Sequence, residues 1–359
     1  MRIGIVTHGE NLFGRHYARA FSDRGHEVSL LSLTRQKIDV PGIPTRIVGP
    51  EGFKPNQTRS RLPYLKTLLP LRRAVKEIRP DILLGLYLSS AGVAACLSGH
   101  PHVVIGAMGS DVIQHIDSAV WRAVFRWQAR RADLIHAVAP HLAEALEQQA
   151  GIKPHRLLVC PVGVDTNQFG LIDPAQRPGT GRVICTRAHA PVYDQATLVR
   201  VLARLRKRGV PCHVTFAHAS GAETTRELVR EQGLQDMTTF LPGYRLEDLP
   251  LLLAEADVYV SCSLSDGTSS SLLEAMSTGT FPVVSDIPAN RPWVKDGRNG
   301  YLFPPGDDAA LADRLADALA DPDLRARAAP VNRDIVVRNG DVERQMDNLL
   351  AAFEQCLRD

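Results

Sequence analysis

The sequence predicts an α/β protein of two domains, each a parallel sheet with helices on both faces, and three observations predict it. Short apolar runs alternate with helical-period segments along the chain, the pattern of repeated strand–helix–strand units. At 359 residues the chain is too long for one ordinary core and suits two. Between residues 163 and 181 a Pro- and Gly-bearing stretch interrupts the alternation, after which the same pattern resumes.

In chain order, Arg2 to Thr7 is an apolar first strand, too short for the core of a secretion signal. It leads through the loop from His8 to Gly14 into a helix ending near Arg24 and a second strand from Gly25 to Leu31. The loop carries Gly9 and Gly14 but lacks the Gly-x-Gly-x-x-Gly spacing of a dinucleotide site. Further strands are expected at Asp81 to Leu86, His102 to Ile105, Leu134 to Val138 and Arg156 to Cys160. A second series begins at Arg182 to Thr186, followed by a helix with Leu198, Val201, Leu202 and Leu205 on one face. Strands at Cys212 to Ala217, Thr238 to Leu241, Asp257 to Ser261 and Phe281 to Val284 complete it. Asp341 to Leu357 closes the chain as an amphipathic helix with Met346, Leu349, Leu350 and Phe353. The expected domains are 1–165 and 170–340, and a cleft between two such domains is the default ligand site.

Composition excludes several classes. With 42 basic and 39 acidic residues the net charge is +3, so nothing signals nucleic-acid binding. Six cysteines are scattered without a Cys-x-x-Cys pair and read as free thiols of a reducing compartment. No apolar run reaches bilayer-spanning length. No His, Asp and Glu cluster has metal-ligand spacing.

The densest chemistry lies in Ser265 to Gly279, between two strands. Gly267 permits a tight turn, and Thr268 to Ser271 supply caps and the unpaired N–H groups of a helix start. Such a terminus attracts phosphate. Asp266 and Glu274 flank it, and the segment reads as a site for a sugar and its nucleotide.

Here the chain resembles the retaining glycosyltransferases of family four, nearly end to end. The landmarks are Gly25-His-Glu-Val28, Gly109-Ser-Asp111, Cys160-Pro-Val-Gly-Val-Asp165 with Phe169, Leu241-Pro-Gly243, the Asp266 to Gly279 segment and Asp296-Gly-Arg-Asn-Gly-Tyr-Leu302. Each is weak alone, whereas their order and spacing are specific. The resemblance implies the GT-B fold of two facing Rossmann-like domains, with the final helix, 341–359, packing back on the first. It implies transfer of a hexose-type sugar from a UDP- or GDP-sugar, with no metal and no cofactor beyond that donor substrate, to a glycan, lipid-linked or small-molecule acceptor.

Residue by residue, the family pattern Glu-x7-Glu reads Asp266-x7-Glu274 here. The resemblance gives Glu274 the ribose hydroxyls, Asp266 the transferred sugar, and the amides around Ser269, Ser270 and Ser271 the diphosphate. Gly243 and Tyr244 match the segment near the base. Arg187 matches the family's phosphate-neutralising Arg, but Tyr193 stands where its Lys is expected, with Arg245 as the alternative source of a second charge. The His often found after the fourth strand is absent, and Tyr87 or Leu88 stands there. His8, Gly9 and Asp111 are left on the acceptor side, with His8 and Asp111 to orient the acceptor.

Plainer readings stand beside these. Ser271-x-x-Glu274 matches a capping box, Asp266 an ordinary turn aspartate, Arg187 a surface cation at a strand end, His8 a loop cap and Asp111 a helix cap. The basic region 54–79, with Lys54, Arg59, Arg61, Lys66, Arg72, Arg73, Lys76 and Arg79, reads as a solvated face or as a peripheral contact with an anionic membrane at the cytoplasmic side. Pro63 and Pro70 are expected to interrupt its helix. A sugar-nucleotide epimerase and a non-catalytic nucleotide-sugar-binding protein are the rival functions.

Overall fold

The structure, a computed structural model, describes residues 1–9, 11–35, 39–50, 62–173, 177, 179, 181–218 and 220–358. The chain divides into two compact units, Met1–Val162 with Glu343–Asp359, and Gly163–Val342.

The first unit holds seven strands: β1 (Arg2–Thr7), β2 (Glu27–Ser32), β3 (Thr45–Ile47), β4 (Ile82–Leu86), β5 (Val103–Ala107), β6 (Leu134–Ala137) and β7 (Leu157–Val159). All pair in parallel in the order β3-β2-β1-β4-β5-β6-β7. Every residue of β4 and β5 is buried, because crossover helices cover both faces. The edges are short and partly exposed, which limits edge-to-edge association.

Helix Leu12–Asp23 starts where the Asn11 side chain accepts from the Phe13 N–H, and buries Tyr17, Ala18 and Phe21. Helix Val342–Arg358 buries Met346, Leu349 and Phe353, the last ring 5.7 Å from Phe21. Arg24 fastens this helix through Glu343 at 2.7 Å and Asp347 at 3.0 Å.

One expectation fails in this unit. Helix Leu62–Ile78 continues through Pro70. Pro63 lies in the first turn, where an N–H has no partner to lose. Thr67, Leu71, Ala74 and Val75 form a buried stripe at helical spacing that holds the segment helical across Pro70.

The second unit holds β8 (Arg182–Cys185), β9 (His213–Phe216), β10 (Thr238–Phe240), β11 (Val258–Ser261), β12 (Phe281–Ser285) and β13 (Tyr301–Phe303). They pair in parallel in the order β10-β9-β8-β11-β12-β13. One face is packed by Leu198, Val201, Leu202 and Leu205 of helix Gln195–Lys207 and by Leu311 and Leu315 of helix Asp308–Ala320. The other is packed by Leu272, Leu273 and Met276 of helix Ser270–Ser277, with Tyr259 and Trp293.

The chain enters this unit at Gly163, ahead of the Pro- and Gly-bearing stretch, and several described residues of that stretch are anchored in the second unit. Phe169 is buried and its carbonyl accepts from the Ser277 hydroxyl at 2.6 Å. Arg177 donates to the carbonyls of Leu253, Ala256 and Thr278, and Asp257 accepts from the Gly179, Gly181 and Arg182 amides. Entry and exit lie side by side: Val164 N–H donates to the Gly340 carbonyl, and Val342 N–H to the Val164 carbonyl, both at 2.9 Å. Gly163 has φ +81°, and a Cβ there would stand 2.7 Å from the Val342 Cα, so glycine is required.

In each sheet the strand order reverses beside its first strand, between β1 and β4 and between β8 and β11. Crevices at the carboxyl ends of such strands are where open α/β sheets bind ligands.

Candidate functional site: an arginine-centred anion seat

The carboxyl ends of β8 and β11 bring together Arg187 and the 265–279 segment. The Arg187 side chain is 10 % exposed, and its guanidinium pairs with Asp266 Oδ2 at 2.6 Å. It also donates to Ser269 Oγ at 3.1 Å and Ser271 Oγ at 2.9 Å. The Tyr259 hydroxyl, rising from β11, donates to Ser271 Oγ at 3.0 Å. The Tyr193 ring lies under the guanidinium, 4.0 Å from its centroid, a cation–π arrangement that favours the charged form. Burial opposes the Arg187 charge, but Asp266, then Tyr259 and Tyr193, outweigh it and raise its pKa above the ordinary arginine value.

The loop carrying these groups is held from behind. Gln195 Nε2 donates to the Arg187 and Ala188 carbonyls at 3.1 and 3.2 Å. Asp194, in the left-handed region at φ +41°, caps helix Gln195–Lys207 through Thr197.

Ser269 caps helix Ser270–Ser277, its hydroxyl accepting from Leu272 N–H at 3.3 Å. The third helical position is therefore Leu272, and Glu274 closes no capping box. Among the described residues, none donates a hydrogen bond to the Glu274 carboxylate. Burial, against the pull of Arg187, pushes it up to about 7. Tyr244 lies near it, its phenol raised by burial and then by the Glu274 charge. Gly243, at φ +137°, turns the chain there as only glycine readily does. Arg245 is not brought to Arg187: it pairs with Glu247, both side chains well exposed.

Arg187, two serine hydroxyls and the first-turn amides at Ser270 and Ser271 are the kinds of donor that an anion takes, making this a candidate anion seat. The Asp266 carboxylate occupies part of that seat. Among the described residues no cluster of three or more His, Cys, Asp or Glu is placed to hold a metal ion.

In the first unit, His8 follows β1 and its Nε2 lies 3.1 Å from Ser90 Oγ. Burial lowers its pKa to about 4, so the ring is neutral near pH 7. The Gly9 N–H is spent on Thr34 Oγ1 at 2.9 Å. Gly14 serves packing, since a Cβ there would meet Thr7 Cγ2 at 2.8 Å. Asp111 does not present a free carboxylate to an acceptor. It is 2 % exposed and accepts from Leu88 N–H at 2.7 Å, Met108 N–H at 3.0 Å and Gly109 N–H at 2.9 Å. Its pKa is nevertheless pushed up to about 6 by burial. Sequence reasoning missed Ser90, Tyr259 and Gln195, which lie within elements and carry no local motif.

On helix Leu62–Ile78, Lys66, Arg72, Arg73 and Lys76 are exposed, and Leu69 is 66 % exposed. Lys54, Arg59 and Arg61, and the side chains of Tyr64 and Leu65, lie outside the described residues. Among the described residues no helix is long and apolar enough to cross a membrane.

Comparison with known proteins covers both units. The family described as Glycosyltransferase Family 4 matches residues 13–168, and the family described as Glycosyl transferases group 1 matches residues 175–334. The MMP alpha-(1->4)-mannosyltransferase of Mycolicibacterium hassiacum is 26% identical over an alignment that covers 89% of this chain and 90% of that protein. The GDP-mannose-dependent alpha-(1-6)-phosphatidylinositol monomannoside mannosyltransferase of Mycolicibacterium smegmatis is 29% identical over 50% of this chain and 51% of its own. Among solved structures, sucrose-phosphate synthase from Thermosynechococcus elongatus superposes with a TM-score of 0.84 at 18% identity, over 99% of this chain and 98% of that one. Anabaena HepE in complex with UDP-glucose superposes at 0.75 and 19%, over 98% and 100%. These establish the GT-B fold, and with the family matches over both units this chain belongs to the family-four, group 1 glycosyltransferases, retaining enzymes that use nucleotide-sugar donors.

Proposed function

We propose that this chain transfers a hexosyl group from UDP- or GDP-sugar to a hydroxyl of a glycan, lipid-linked or small-molecule acceptor. The donor's diphosphate takes the seat at Arg187, Ser269, Ser270 and Ser271, displacing Asp266, which then turns to the sugar hydroxyls. Glu274 receives the ribose hydroxyls, and Gly243 and Tyr244 border the base. The sugar C1–O bond breaks with its electron pair going to the phosphate oxygen, where Arg187 and the helix start stabilise the growing negative charge. The acceptor oxygen bonds to C1 on the same face, and its proton passes to the leaving phosphate oxygen. Tyr193 supplies no charge in this scheme. Its ring fixes the Arg187 plane, so one buried cation does the work of two. Two mannosyltransferase relatives, and a structural neighbour that holds UDP-glucose, support a hexose donor. The exposed cations and Leu69 of helix Leu62–Ile78 suit an anionic bilayer surface at the cytoplasmic side, where a lipid-linked acceptor is presented.

The observation that carries this reading is the Arg187 network. UDP-glucose and GDP-mannose, each incubated with EDTA and a mixed glycan and glycolipid acceptor pool, are expected to yield nucleoside diphosphate and a new α-linked product. Arg187→Ala is expected to lower kcat by about 10²- to 10³-fold with a smaller change in donor Kd. Equal losses in both would remove Arg187 from the transition state, and conversion of the donor's sugar without an acceptor would make the protein an epimerase.

A further inference from the structure

The serine hydroxyls beside Arg187 are constrained in the direction their protons can face. A hydroxyl carries one proton and two lone pairs. Ser271 Oγ accepts from Arg187 Nη1 at 2.9 Å and from the Tyr259 hydroxyl at 3.0 Å, which fills both of its lone pairs. Ser269 Oγ accepts from Arg187 Nη1 at 3.1 Å and from Leu272 N–H at 3.3 Å, which fills both of its own. The two oxygens are 3.3 Å apart, yet neither has a lone pair left for the other's proton. Both protons are therefore turned away from the groups that hold the oxygens, and Ser269 is only 4 % exposed. A buried hydroxyl proton without an acceptor is costly. An anion with several acceptor oxygens is the partner that relieves it.

Tyr259 decides this arrangement without carrying charge. It lies on β11 and is fully buried. Burial pushes its phenol up to about 12, so the group keeps its proton near neutral pH, and that proton goes to Ser271 Oγ. Without it, Ser271 regains a free lone pair 3.3 Å from Ser269 Oγ, and the Ser269 proton turns to fill it. The seat then offers an anion one hydroxyl donor in place of two. A phenol that meets no ligand thus sets the polarity of the hydroxyls that do.

We propose that Tyr259 is a positioning residue for the donor's diphosphate: by filling the second lone pair of Ser271, it keeps the Ser269 and Ser271 protons directed at the bound anion. The inference rests on the transferase reading above and deepens it. Kd for UDP, GDP and inorganic pyrophosphate is measured by calorimetry in EDTA on the full chain, together with Tm, for wild type, Tyr259→Phe, Ser269→Gly and the double variant. Tyr259→Phe is expected to weaken diphosphate binding about fivefold. Ser269→Gly removes the proton in question and keeps the helix start, because glycine caps nearly as well as serine. In that background Tyr259→Phe is expected to change Kd by less than about 1.5-fold, a coupling between two residues that share no hydrogen bond. Ser271→Ala, which removes the oxygen between them, is expected to silence Tyr259→Phe in the same way.

A Kd for Tyr259→Phe within about 1.5-fold of wild type overturns the proposal. So does a loss of about fivefold that persists in Ser269→Gly, the result that a phenol serving only the core gives, whatever happens to Tm. Binding of pyrophosphate with the coupling intact, but of neither nucleotide, overturns the donor reading and leaves the proton direction standing. Binding of none of the three overturns both.

Discussion

Glu274 is a carboxylate whose environment favours the proton. Its pKa of about 7 stands above the ordinary 4.5, with burial the main cause. The folded state therefore holds the proton more tightly than the unfolded one, and this group's contribution to stability falls as pH rises from about 4.5 to about 7, then levels. With Glu274 in its proposed place at the ribose, donor binding is expected to have the opposite slope, because ribose hydroxyls need an ionised acceptor. Between pH 8 and pH 6 the affinity for a nucleotide sugar, which has no titrating phosphate in that range, is expected to fall about tenfold. Calorimetric titration across that interval checks it, and Glu274→Gln should bind weakly with a flat profile. The sequence pointed to Glu274, Asp266 and Arg187, but their mutual arrangement was not legible in it. Arg187 and Asp266 are 79 positions apart and meet only because β8 and β11 are neighbours, so no local pattern records the ion pair. Arg245 shows the reverse: adjacent in motif order, it is directed by Glu247 to the surface.

At the scale of the element, one side chain ties the turn after β4 to the loop after β5. Asp111 satisfies three buried N–H groups, on Leu88, Met108 and Gly109, and its removal leaves all three without an acceptor. Asp111→Ala is expected to cost about 3 kcal/mol of unfolding free energy, read from urea denaturation, whereas Asp111→Asn, which keeps one carbonyl oxygen, should cost less. A change under about 0.5 kcal/mol in Asp111→Ala would show that water replaces the carboxylate. Central strands such as β4 and β12 were legible because burial on both faces writes an unbroken apolar run. The edges β3 and β13 were not, since three residues with partly exposed sides carry no period to detect. Pro70 misled for a related reason: local propensity forbids the helix there, and a tertiary stripe from Thr67 to Val75 overrides it.

At the scale of the molecule, alternation of strand and helix across 359 residues was enough to predict two parallel sheets, and motif order was enough to predict the family. The passage between units is less legible, because residues 163–181 resemble a linker in composition, yet Phe169, Arg177 and the Gly179 amide are tied to groups of the second unit. That anchoring, with Val164 bridged to Gly340 and Val342, has an architectural consequence. The second unit is a cassette inserted into the first, with its two ends touching. A polypeptide of residues 163–342 alone is expected to fold, show one cooperative melt, and bind UDP or GDP without catalysing transfer; thermal shift on that fragment measures it, and a molten fragment would show that the cassette borrows stability from its host. Because touching ends can be ligated without distortion, new termini could be opened in a surface turn of the cassette while residues 163 and 342 are bridged, giving circular permutants of the second unit.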